Sequence, residues 1–327
     1  MPVTNLPLIQ QAMTRYGMSF YLGLGVIGNA CGCIMFTRQT YRRTASSVYF
    51  LCLSICSIMY LIWSLFPYLY SLDHIDPQKQ SIAYCKTRFY GTHLFGQCVR
   101  YSIVLACIDR YFCTRTSMRL RSFSSISIAV KLVLIMISVW LIVSIHILVF
   151  MEIRNNVCGM FDAYKLFYAA YQITFISVVP PTLMSIFSIL TFRSLRQRHD
   201  GQAHIRQRDR QLMRILIVEV LINVSTSIPI SCNFAYNAAT IYVTDKTSLR
   251  QEIESFFGYI VQNLIYLISV VPFYVFLITS KPFRNEFFDI FVNLWNKHIR
   301  RRTRIVPFAE QDARTRRTHT ILRTEHQ

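Results

Sequence analysis

The sequence predicts an all-α membrane protein: a seven-transmembrane helix bundle with a short amphipathic helix after the seventh span. Three observations carry that prediction. Hydrophobic residues make up 53% of the 327-residue chain and charged residues only 16%, against about 25% charged in an ordinary soluble domain. Mean hydropathy is positive, at +0.34. Seven segments approach the roughly 20 apolar residues that a spanning helix needs, and a helix satisfies its own backbone groups in lipid.

In chain order, residues 1–15 form a short N-terminal segment, and residues 16–280 the membrane domain. The expected spans are 16–37, 47–72, 84–113, 127–151, 166–192, 212–236 and 253–279. The first 15 residues lack the charged start and apolar stretch of a cleavable signal, so the first span is expected to be its own anchor. The third span is the least apolar. It carries Arg88, His93, Gln97 and Arg100, and is expected to face other helices rather than lipid. Between spans five and six, residues 193–211 form a basic loop in which Asp200-Gly201 marks a turn. The sequon Asn223-Val224-Ser225 falls inside span six, where glycosylation is not expected.

After span seven, Phe283, Phe287, Phe291 and Leu294/Trp295 recur at helical spacing, with Arg284, Glu286 and Asp289 between them. This predicts an amphipathic helix over 281–298, lying along a membrane surface. Residues 299–327 form a basic tail with Arg300-Arg301-Arg302, Arg304, Arg316 and Arg317. It is expected to be solvated and drawn to anionic membrane lipid.

A formal charge of +19 would suit nucleic acid, but its distribution argues for a membrane. With the N-terminus outside, about 26 of the 35 Lys and Arg residues fall on the cytoplasmic side, about 8 fall outside, and Arg100 lies within the membrane. The 16 acids divide almost evenly, about 8 inside, 7 outside and one within. That positive-inside pattern predicts a multi-pass membrane protein, N-terminus outside and C-terminus cytoplasmic, with no nucleic-acid partner. Most of the ten cysteines lie in spans and read as small apolar packing residues. Cys85, opening span three, and Cys158, in the loop after span four, face an exterior whose oxidising chemistry would let them pair. Cys31-Gly32-Cys33 has no partners at ligand spacing, glycine-rich phosphate loops are absent, and no nucleophile–base arrangement occurs. No metal, cofactor or enzymatic activity is expected.

The landmarks follow a recognisable order. Gly28-Asn29 stands in span one, and a leucine-bearing stretch, SSVYFLCLSICS, in span two. Cys85 lies 25 residues before Arg110 of Asp109-Arg110-Tyr111, at the inner end of span three. Trp140 lies in span four and Cys158 follows it. Pro180 or Pro181, Pro229 and Pro272 fall in spans five, six and seven, and Phe283-Arg284 opens the final helix. Over nearly all of residues 16–295 this order resembles the rhodopsin-like family of G-protein-coupled receptors. The resemblance implies a Cys85–Cys158 disulfide, an extracellular ligand in the outer half, and a heterotrimeric G protein met through Asp109, Arg110 and Tyr111.

The sequence also departs from that pattern. Ser57 replaces the span-two acid, so a sodium site is not expected. Thr226-Ser227-Ile228-Pro229 lacks the span-six tryptophan. Val271-Pro272-Phe273-Tyr274-Val275 lacks the span-seven asparagine and displaces its tyrosine by one position. Several switch residues of the family must therefore be replaced by others.

Charged residues suggest which. Asp209, 20 residues before Pro229, stands where the family carries an acid at the base of span six. An Arg110–Asp209 pair would lock spans three and six; the competing reading pairs Asp209 with Arg206 or Arg210 in solvent. Arg100 is ten residues outward of Arg110, and Glu219 ten residues before Pro229. An uncompensated intramembrane Arg costs about 2.5–3.5 kcal/mol, which predicts an Arg100–Glu219 bridge, assisted by Asn223 one turn along the same face; the competing reading points each separately into a wet cavity. With Pro229 and Pro272 these form the expected intramembrane switch.

The expected ligand contacts are Arg88, Thr92, His93, Gln97, Gln172, Ser231, Phe234 and Phe257, with Tyr68, Gly96 and Val261 nearby. Thr92 stands where amine receptors carry an aspartate, which argues against an amine ligand. Pro67 is similar to peptide-receptor members, which points to a small peptide. Two rivals remain: an ion-coupled transporter or channel using the Arg/Glu pair as a relay, and a receptor-fold decoy that binds without signalling.

Overall fold

The computed structural model of the chain describes residues 4–42, 44–115, 117–197, 203–243 and 245–303; the side chains of 197–212, 291, 293, 294 and 296–303 lie outside that description. The Asp200-Gly201 turn and the basic tail beyond 303 also lie outside it.

Residues 4–279 form one helical unit. Its long helices are α1 (Leu6–Thr37), α2 (Ala45–Tyr70), α3 (Ile82–Cys113), α4 (Ile126–Phe150), α5 (Asp162–Arg196), α6 (Ala203–Ala239) and α7 (Ser248–Val270), followed by the short α8 (Pro272–Thr279). Six of these helices, α1, α2, α4, α5, α6 and α7, are long and apolar enough to cross a membrane. The 32-residue α3 is equally long but carries Lys86, Arg88, Arg100, Asp109 and Arg110. It packs against α2, α4 and α5 and also meets α6 and α7. Burial against protein accounts for a polar helix in the middle of an apolar bundle.

Local chemistry explains the helix ends. The first helix begins at Leu6, ten residues before the expected start of span one, with Pro7 in its first turn, a position that needs no backbone N–H. Thr4 fastens that start to α7, donating its N–H and hydroxyl to Glu252 Oε2 at 3.0 and 2.5 Å. Ser81 and Ser125 cap α3 and α4 by accepting from the N–H groups of Tyr84 and Ile128. Single π-helical turns interrupt α1 at Met13–Met18 and α5 at Ile173–Val178. Pro67 and Pro229 sit inside α2 and α6.

Small residues let α1 approach its neighbours. A Cβ on Gly25 would lie 2.2 Å from Leu61 Cδ1, so any larger residue would require Leu61 to shift at that close α1–α2 contact. One turn on, the buried Asn29 amide donates to Gly25 O and Ser269 O, both at 2.7 Å, joining α1 to α7.

Between α4 and α5, strands β1 (Glu152–Arg154) and β2 (Val157–Gly159) pair antiparallel, with Ile153 opposite Cys158. The two loop residues, Asn155 and Asn156, have φ of 50° and 59°, as a tight hairpin turn requires. Arg154 holds the hairpin's base by pairing with Asp162 at 2.6 Å and Glu152 at 2.9 Å. Those two acids, Asp162 first, hold its guanidinium above its usual range.

Residues 280–303 belong to a second unit, whose helix α9 (Lys281–Thr303) runs beyond the expected 298. Ser280 caps it, accepting from Phe283 N–H at 3.4 Å. Phe288, Val292 and Trp295 are exposed on it at helical spacing. This row differs from the expected one: Phe283 is buried, and the side chains of Phe291 and Leu294 lie outside the description.

Candidate functional site

The functional candidates are strung along α3. At its C-terminal end, Asp109 and Arg110 are both buried and face one another, Arg110 Nη2 lying 3.3 Å from Asp109 Oδ2. Two serines complete the cluster. Ser46 on α2 donates to Asp109 Oδ2 at 2.6 Å and accepts from Arg110. Ser124, just before α4, donates to Asp109 Oδ1 at 2.6 Å. The carboxylate is thus hydrogen-bonded on both oxygens, the condition under which a buried charge is tolerated. Tyr111 packs on Phe187 of α5 at 5.7 Å. Asp209 falls on α6, but its side chain lies outside the described residues.

At the other end, Cys85 and Cys158 form a disulfide, their Cα atoms 6.0 Å apart and 73 residues apart in sequence. It ties the β-hairpin to the start of α3. Below the hairpin, Ile147, Met151 and Tyr168 form an apolar cluster that also receives Phe89, Cys158, Met160 and Phe234.

Beside that cluster lies a cavity of about 240 Å³, walled by α2, α3, α5, α6 and α7. Of the expected contacts it includes Arg88, Thr92, His93, Gln172 and Phe234, with Tyr68 and Gly96. Arg88 lies over the Tyr68 ring at 4.5 Å and donates to Gln78. His93 Nε2 is 2.9 Å from Tyr171 Oη, so its ring is held by a structural bond as well as facing the cavity.

Three expected contacts lie elsewhere. Gln97 is fully buried on α3, 3.5 Å from His93. Ser231 turns back to donate to Ser227 O at 3.0 Å. Phe257 is 49% exposed. None of the three is among the residues that line the cavity, although Gln97 stands one turn beyond His93 on the same face of α3.

The middle of α3 differs from expectation. Arg100 is 4% exposed, lines the cavity floor, and donates Nη1 to Gly96 O at 3.1 Å. Glu219 is 0% exposed, and among the described residues neither of its oxygens has a hydrogen-bond partner. The expected Arg100–Glu219 bridge is not formed. Arg100 is within electrostatic reach of Tyr60 and Tyr101, whereas Glu219 acts on Cys107. Cys107 is seven residues beyond Arg100, about 10 Å along the helix. Equal sequence distances from Arg110 and Pro229 do not give equal depth when helices are tilted and offset. Asn223 accepts from Ser227 at 3.3 Å, and its buried amide nitrogen has no partner among the described residues. Pro229 lies within α6, and the buried Pro272 opens α8 after α7 ends.

Sequence reasoning missed Ser46 and Ser124, because single serines far apart in the chain give no signal. It also missed the cavity residues Tyr60, Ser64, Tyr168, Gln262 and Tyr266. The tyrosines were visible in principle as aromatics interrupting apolar spans.

The fold and site define a helical membrane receptor, with a cavity near one end of α3 and an ionic cluster at the other. The chain belongs to the 7 transmembrane receptor (rhodopsin family), whose family model matches residues 28–274. It is a multi-pass membrane protein of the class A G-protein-coupled receptors. No curated protein matches it.

Proposed function

We propose that the protein is a plasma-membrane receptor that carries an extracellular signal to a heterotrimeric G protein. In this reading the chain spans the membrane seven times, α3 included, with the N-terminus outside. Residues 281–298 lie along the inner surface, the exposed Phe288, Val292 and Trp295 facing lipid, and residues 299–327 form the cytoplasmic tail. The ligand, a small peptide, enters the α2–α3–α5–α6–α7 cavity beneath the disulfide-held hairpin.

One observation supports this most. A single buried helix carries the ligand cavity toward one end and the Asp109–Arg110 cluster at the other. Arg110 is held by Ser46 and Asp109, groups that can exchange partners. Ligand contacts that favour an opened arrangement of α6 would release Arg110 toward the G protein by population shift. Asp209 is the acid on α6 that would hold Arg110 in the closed arrangement.

Nucleotide exchange on purified G protein, driven by a library of short peptides, tests this. Wild-type receptor is expected to respond, and Arg110→Ala to lose the response while keeping ligand binding. Saturable binding with no exchange on any G protein would favour the decoy reading. Ligand-independent charge movement across the membrane would favour the transporter. That rival is weakened by Arg100 and Glu219, which would have to exchange a proton but are not in contact.

A further inference from the structure

We infer that the cavity selects an organic acid, whose carboxylate is received by Arg100. This rests on the receptor reading above and names the chemistry of its ligand. The cavity lining contains two cations, Arg88 and Arg100, and among the described residues that line it there is no Asp or Glu. Four arginines outside the cavity are paired with acids: Arg15 with Asp73 at 2.6 Å, Arg110 with Asp109 at 3.3 Å, Arg154 with Glu152 at 2.9 Å, and Arg250 with Glu254 at 2.8 Å. Arg100 has no acidic partner among the described residues, although it is 96% buried (4% exposed).

Among the described residues its one hydrogen bond is to a neutral carbonyl of its own helix, Gly96 O. A Cβ at Gly96 would stand 3.0 Å from the Tyr60 ring and in ordinary contact, 3.5 Å, with Arg100 Nη1. The guanidinium lines the cavity with donors to spare. A guanidinium presents several N–H groups in a planar fork that matches a carboxylate in two parallel bonds. A lone buried cation is costly, and an arriving anion would relieve that cost, so charge recognition falls at the deepest point of the site.

The rest of the lining fits the remainder of such a ligand. Tyr60, Tyr168, Tyr266, Phe89 and Phe234 offer aromatic faces, and Thr92 with Ser64, 3.5 Å apart, offers neutral hydroxyls. At about 240 Å³ the cavity is below the roughly 300–1,000 Å³ of drug-sized sites. It takes a small acid whole, or only the end of a longer chain. For a peptide ligand, that end is a free C-terminal carboxylate, entering first.

The test uses the purified full-length receptor in detergent with matched pairs of probes: 3-phenylpropanoate and its primary amide, and the dipeptide Ala-Phe as free acid and as amide. Binding is read from thermal-midpoint titrations. A charge-assisted pair is worth about 1.5–3 kcal/mol, so each acid is expected to bind at least about tenfold more tightly than its amide. Arg100→Gln is expected to bring acid and amide within about twofold of one another, and Arg100→Lys to keep part of the preference by retaining the charge without the fork. Preference only in the dipeptide pair supports a peptide terminus; preference only in the phenylpropanoate pair supports a small acid. Equal binding of acid and amide by wild type, an undiminished preference in Arg100→Gln, or no saturable binding of either acid up to about 10 mM overturns the inference. The wild-type comparison stands even if Arg100→Gln fails to fold. None of these failures touches the receptor reading, which is decided by G-protein nucleotide exchange and Arg110→Ala.

Discussion

Two buried arginines ten residues apart on one helix have opposite surroundings. Arg110 meets Asp109, and the pair is shared with Ser46 and backed by Ser124. Arg100 meets one backbone carbonyl and a cavity. The contrast teaches how to separate a structural charge from a recognition charge. A cation whose counter-ion is built into the fold holds helices together. A cation without one is stabilised by what the site admits. On α6, Glu219 and Asn223 repeat the second pattern, buried with polar atoms that lack partners.

The sharpest test removes the counter-ion at the paired end. Asp109→Ala strips the carboxylate from a cluster in which it is 2% exposed. Breaking a buried pair from one side costs about 3–5 kcal/mol, so a large fall in thermal midpoint is expected. Arg100→Gln, which breaks no ion pair among the described residues, is expected to shift the midpoint far less. Equal losses in the two variants would end the distinction between the arginines.

Next in size is the covalent tie above the cavity. Cys158→Ser releases the hairpin from α3 and is expected to cost about 2–4 kcal/mol, in the usual range for a disulfide. It is also expected to weaken ligand binding, because Met160, two residues beyond Cys158, lines the cavity. Removal of the disulfide that lowers stability but leaves probe affinity intact would show that the cavity roof is held by packing alone.

Glu219 gives a prediction of opposite sign. Burying a polar group without a partner costs about 1–3 kcal/mol by mutational measure. Glu219→Leu is therefore expected to raise stability by that amount in thermal unfolding, while impairing nucleotide exchange if the residue serves the moving α6. A loss of stability instead would mean that Glu219 is satisfied in the folded protein after all.

How much of this could be read from the chain differs from feature to feature. Helix number, order and approximate limits were legible because apolar length is a local property. So was the Asp109–Arg110–Tyr111 position, anchored by the 25-residue interval from Cys85, and the disulfide followed from the family resemblance. The partner of Arg100 was not legible. Its choice depends on helix rotation and offset, which place Glu219 nearer Cys107, and no interval along one helix encodes the depth of another. That Gln97, Ser231 and Phe257 stand outside the cavity lining was not legible either, because a lining is set by how several helices pack together. Ser46 and Ser124 were invisible because hydroxyl partners of a buried acid carry no composition signal. The start of α1 at Leu6 was missed because its first ten residues are only moderately apolar and are held by distant contacts, among them Thr4 to Glu252, Thr14 to Tyr259 and Arg15 to Asp73.

The smallest effect is the finest test of the paired end. Ser124 contributes one hydroxyl, to Asp109 Oδ1 at 2.6 Å, while Oδ2 is served by Ser46 and Arg110. A hydrogen bond to a charged group is worth about 1.5–3 kcal/mol; Ser124 belongs near the bottom of that range because it lies in a connection that can readjust. Ser124→Ala is expected to cost about 1.5 kcal/mol by that scale, and Ser46→Ala more, since Ser46 touches both charges. The cycle of Ser124→Ala with Asp109→Asn isolates the pair term. A coupling near zero would mean that Asp109 is held from the α2 side alone, leaving the α4 side free to move when Arg110 is released.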